Sequence, residues 1–169
     1  MNRTTLAAFA ASLAILSAPA APVAAQTYSA ERVIEAVTID DLKAIIGDIG
    51  HEIVDTGTEN APQIVARTPD GLTYVLIGTA CDDAKSRCQG VELQALYRGA
   101  DKVTDEDIVS ANLRFVALKA SVDRERDLYN FARYLILDHG VTMANIRTNV
   151  RVFLALVPKS RKIAEGRSE

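Results

Sequence analysis

Apolar residues recur at helical spacing in two stretches of the chain, and the segment between them alternates at a period near two. The first helical stretch places Ile39, Leu42, Ile45, Ile46 and Ile49 on one face. Thr38 stands where an N-cap belongs, Asp41 follows three residues on as a carboxylate variant of the capping box, and Gly50 ends the run. The second stretch is longer. Met143, Ile146, Val150, Phe153, Leu154 and Val157 share a face behind Thr142, and Arg147 and Arg151 fall on another, read as solvated. Pro158 is expected to end or kink this helix, and the polar tail from Lys159, above all residues 165–169, is expected to fray.

Between these helices the pattern predicts strands at 52–56, 63–68, 72–79 and 91–97. Pro69-Asp70-Gly71 is a turn signal between the second and third. In the fourth, Val91, Leu93, Ala95 and Tyr97 alternate with Glu92 and Gln94, as in a half-buried antiparallel strand. In the third, both faces are apolar, with Leu72, Tyr74 and Leu76 against Val75 and Ile77. It is expected in the sheet interior, covered on both sides or on one side by a partner. A short helix over 105–113 capped by Thr104, a strand over 114–122, a charged turn at 123–126 and a strand over 127–137 complete the order. Residues 32–37 read as an edge strand or the lead into the first helix. Every strand-to-strand link is short, so the sheet is expected to be mainly antiparallel, about six strands flanked by helices, in the α+β class.

The first 25 residues read differently. Arg3 precedes an apolar run over 6–16, and Val23 and Ala25 fit the −3 and −1 positions of a signal-peptidase site. The apolar run is about a dozen residues, short of the roughly 20 that a membrane span needs. Cleavage after Ala25 would leave 144 of the 169 residues, enough for one core without staples, and no later segment long and apolar enough to span a bilayer. Residues 26–164 then form a single domain in an exported, periplasmic protein. Loss of Arg3 takes the net charge from −3 to −4, which argues against nucleic acid as a partner.

Candidate chemistry is sparse. Cys81 and Cys88, the two cysteines of the chain, bracket a short charged loop between two strands. A structural disulfide is favoured by an oxidising compartment and a hairpin, and closing such a loop would add about 2.5 kcal/mol in the chain-entropy picture. A metal site would need two more ligands, and the two histidines, His51 and His139, lie far away in sequence. A redox-active pair would favour tighter C-x-x-C spacing. Asp82 and Asp83 are too few for calcium, and Asp105-Glu106-Asp107 suit a helix N-terminus. No nucleophile motif and no Gly-rich phosphate loop accompany the histidines. The chain is read as non-enzymatic, with no cofactor and no metal.

The stretches 42–50, 71–96 with its two cysteines, 112–115 (N-L-R-F) and 140–156 resemble the YbjN domain family. The family often carries Trp before that Asn, where this chain has Ala111, and the chain has no Trp. The resemblance implies a fold like that of type III secretion chaperones, often dimeric. It also implies a binding or regulatory role, since family members are labelled sensory-transduction regulators without a defined activity. The expected partner is a protein or peptide, with a structural homodimer or a small redox protein using Cys81 and Cys88 as alternatives. Leu72, Tyr74, Leu76, Met143 and Val150 are the candidate partner surface; the simpler reading of the same residues is core.

Overall fold

The computed structural model describes residues 27–167. The signal peptide and its cleavage after Ala25 lie outside these residues, as do Ser168 and Glu169 of the tail. Among the described residues, six strands form one antiparallel sheet: β2 (Glu52–Thr58), β3 (Ala61–Arg67), β4 (Thr73–Cys81), β5 (Cys88–Arg98), β6 (Lys119–Asp123) and β7 (Leu128–Ile136), in the order β2-β3-β4-β5-β7-β6. Two short strands, β1 (Val33–Ile34) and β8 (Val141–Thr142), pair separately. The helices α1 (Ile39–Ile49), α2 (Asp105–Arg114) and α3 (Met143–Ala164) pack on one face of the large sheet. This is the α+β architecture that the pattern predicts.

The threonine caps place the helices. Thr38, Thr104 and Thr142 each accept a hydrogen bond from the backbone N–H three residues on, satisfying a donor that the first turn leaves open. At Thr38 the capping box is complete, because the Asp41 carboxylate accepts the Thr38 N–H at 2.9 Å. Gly50 ends α1 in the left-handed region at φ 78°, where a Cβ would cost energy. Leu42, Ile45 and Ile46 then bury completely. By area, each such side chain contributes about 1.5–3 kcal/mol.

Register decides what the sheet hides. Ile64, Leu76, Leu93 and Arg133 lie on one rung and Ala66 and Tyr74 on the next, all toward the helices. Val91, Ala95, Tyr129, Phe131 and Leu135 join them, and Phe153, Val150, Ile146 and Met143 of α3 close the core from above. Asn112 of α2 pins the sheet's last strand: its amide accepts the Ala120 N–H at 2.7 Å and donates to the Ala120 carbonyl at 3.0 Å. The side chain stands in for a neighbouring strand on an edge that would otherwise be open.

Three expectations are corrected. The strand expected over 114–122 starts only at Lys119. Arg114 ends α2, and 115–118 is a turn closed by the Leu118 N–H donating to the Phe115 carbonyl. The long helix passes through Pro158 and runs to Ala164. A mid-helix proline forfeits a hydrogen bond. Here Val157, Ser160 and Ala164 are buried around it, and Glu165 beyond it is tied to the sheet. The Tyr129 hydroxyl donates to Glu165, and Arg161 Nε donates to the same carboxylate at 2.8 Å. Glu165 is thus joined to the sheet and to the preceding turn of α3. Third, Arg147 is not on a merely solvated face: it pairs with Asp48 at 2.9 Å and sits over the Tyr28 ring at 5.3 Å.

Candidate functional site

The same register that buries one face of the sheet leaves the other without a helix among the described residues. Three rungs cross the open face. Val65, Val75, Gln94, Ala132 and Lys119 lie on the first; Gln63, Ile77, Glu92 and Tyr134 on the second; Thr79, Gly90 and Ile136 on the third. Val65, Val75 and Ile77 are half-buried by their neighbours, whereas Tyr134 and Ile136 are 53% and 69% exposed. Leu96 adds a further exposed side chain on this face. An apolar band with Glu92 as its central charge is what a binding surface presents more often than a plain solvated sheet does.

Gly90 shapes the band. A Cβ there would stand 2.1 Å from the Tyr134 hydroxyl and 2.5 Å from Thr79 Oγ1. Without one, the Tyr134 phenol lies across β5 and hydrogen-bonds Thr79 of β4 at 3.1 Å. The phenol is thus tied across to β4 by its hydroxyl and stays open to solvent, an anchor of the kind that dominates interfaces.

The proposed partner residues are placed otherwise. Tyr74, Leu76, Met143 and Val150 are each at most 1% exposed and belong to the core, and Leu72 is half-buried against it. Tyr74, Leu76, Met143 and Val150 therefore do not form a partner surface. The two-faced strand is β4, interior in the sheet, and its free face is the one carrying Val75 and Ile77. Cys81 and Cys88 are bonded, with the sulfurs 2.08 Å apart. They sit directly opposite on β4 and β5. Cys88 spends its own N–H and carbonyl on Val37 on its other side, so the cysteines form the close non-hydrogen-bonded type of pair. Cys88 is fully buried.

His51 and His139 are not brought together. His139 is 95% exposed at a turn. His51 Nδ1 lies 2.7 Å from the Tyr74 hydroxyl, and burial lowers its pKa against the pull of Asp70. Burial also raises the pKa of Tyr74. The pair satisfies two polar groups at the edge of the core. The other polar cluster joins α3 to the sheet. Arg161 stacks over Tyr97 at 4.3 Å, and burial pushes Tyr129 up to about 12. Burial opposes ionisation of Glu165, but the hydrogen bonds from Tyr129 and Arg161 outweigh it and lower its pKa.

An antiparallel six-stranded sheet with its helices on one face is a YbjN-like, chaperone-like fold, and comparison with solved structures bears this out. YbjN from E. coli superposes with a TM-score of 0.54 at 18% identity, over 76% of this chain and 90% of that one. A chain of the ExsC–ExsE complex gives 0.52 at 14%, over 75% and 92%. A chain of the HopA1–SchA chaperone–effector complex gives 0.50 at 10%, over 75% and 98%. At these identities the likeness is one of fold. No family model and no curated protein matches the sequence.

Proposed function

We propose that this protein is a periplasmic, non-enzymatic binding module that docks a partner protein on the open face of its sheet. The observation that carries the reading is the uncovered apolar band around Tyr134, Ile136 and Ile77 in a domain whose other face is closed by three helices. The fold shared with a chain of a chaperone–effector complex supports a protein as the occupant. Ile136→Glu places a charge in the band at a site where substitution moves stability by little. It should lower recovery of the partner by tenfold or more, with the melting temperature within 2 °C of wild type. Equal recovery with both baits, or none with wild type, contradicts the proposal.

Export is supported by the leader-like pattern of residues 1–25 and by the bonded cysteine pair, which persists in oxidising compartments. The protein isolated from the periplasm should begin at Gln26, and neither cysteine should alkylate without reductant. A mass that retains Met1–Ala25, or two labelled thiols, contradicts this. A second reading, a homodimer, has its own observation. Val109, Leu113 and Val116 on and just after α2 are 56%, 79% and 93% exposed. A dimer that Leu113→Glu splits, with no other protein bound, would favour self-association over a client.

A further inference from the structure

The pairing of β4 with β5 runs from Cys81↔Cys88 to Val75↔Gln94 and stops. Both strands continue. β4 begins at Thr73, paired there to Arg67 of β3, and β5 runs on to Arg98, paired to Leu128 of β7. At this end the sheet divides into a β2-β3-β4 half and a β5-β7-β6 half. A groove of about 500 Å³ lies in the division, with Leu72 and Thr73 on one wall and Leu96 and Tyr97 on the other. Beyond Val75↔Gln94 the two strands form no further pair with each other, over Thr73 and Tyr74 alone in β4 and over residues 95–98 in β5.

The end of α3 closes the groove and sets its charge. Arg161, Lys162 and Arg167 line it, against the lone carboxylate of Asp70. Asp70 accepts a hydrogen bond from the Thr68 hydroxyl, which holds its carboxyl below the usual range. Glu165, which accepts from Arg161 and pairs with Arg167, is turned inward with 12% of its side chain exposed and does not line the groove. With Glu165 counted, the cluster holds three cations to two carboxylates, a locally positive patch in a chain of net charge −3, and Lys162 is the lining cation not paired to Glu165. The Arg161 guanidinium is also fixed in place by its stack on Tyr97.

A partly apolar wall and a cationic rim ask for one kind of ligand. A small anion would use the rim alone, and a purely apolar segment would leave the cations unused. We propose that the groove holds an extended peptide segment of the partner in which acidic and apolar residues alternate. This inference rests on the protein-binding reading and names the chemistry of what is bound. Leu96 lies both on the open face and in the groove wall, so one partner can cover the face and thread a segment into the division.

The test uses the mature protein and two fluorescein-labelled octapeptides, one alternating leucine with glutamate and one alternating leucine with lysine, read by fluorescence anisotropy. The acidic probe should bind at least tenfold more tightly than the basic one. Lys162→Glu, at an exposed position, should weaken it tenfold or more, and the milder Lys162→Gln by several-fold. Ile136→Glu should leave probe binding within twofold. Equal binding of the two probes, or acidic-probe binding that ignores both Lys162 variants, overturns the inference. If that happens while partner recovery stays sensitive to Ile136→Glu, the groove assignment fails and the binding face stands. If partner recovery is insensitive as well, both fall.

Discussion

Phe153→Ala should destabilise the protein by about 3–5 kcal/mol, the loss of a buried aromatic together with the cavity it leaves. Phe153 is 0% exposed near the middle of α3, inside the cluster that joins that helix to β5 and β7. A typical domain has only about 5–15 kcal/mol to lose. For a chain of this size the melting temperature should fall by roughly 10 °C. Lys159, exposed six residues further along α3, is the matched control, since Arg147 is engaged with Asp48 and Tyr28. A shift under 2 °C, equal to that of Lys159→Ala, would mean that α3 is not docked as described.

Asp41→Ala should cost about 2–4 kcal/mol. The Asp41 side chain is 4% exposed and has three donors: the Thr38 N–H, the Thr38 hydroxyl and the Arg32 guanidinium. Removing it takes away the carboxylate half of the α1 capping box and the ion-pair partner Asp41 provides to Arg32. Breaking a buried ion pair from one side typically costs about 3–5 kcal/mol. Arg32 is 32% exposed, so water can take over part of the carboxylate's role and the lower range applies. Asp41→Asn keeps an acceptor for the cap and should recover about half of the loss. Urea unfolding measures both. A loss under about 0.5 kcal/mol for the alanine variant would show that the carboxylate contributes nothing beyond an exposed cap.

The local signals were readable because they act over three or four residues. Thr38 with Asp41, Thr104 with Asp107 and Thr142 each announce a helix start through a bond to the chain just ahead. Strand alternation in Val91–Tyr97 likewise told the covered face from the open one. In 72–79 both faces are apolar, so the pattern alone could not say which side the helices take. The candidate surface was assigned to Tyr74 and Leu76, when Val75 and Ile77 carry the open face. The contacts that correct the chain's end span long distances in sequence. Tyr129 meets Arg161 and Glu165 more than thirty residues away, and this anchorage outweighs the cost of Pro158 in α3. Asn112 stands in the N-L-R-F stretch, but its role depends on Ala120 arriving opposite it. Tyr134 gave no signal, because its exposure depends on Gly90 from a strand more than forty residues earlier.

Site-specific photocrosslinking on the exported protein tests the central claim most directly. A benzophenone side chain is placed at Ile136 on the open face, and in a second protein at Lys159 on the outside of α3. The account predicts a discrete adduct with a different protein from position 136 and none from position 159. Adducts of equal yield from both positions, or an adduct from 136 made only of two copies of this chain, would contradict it.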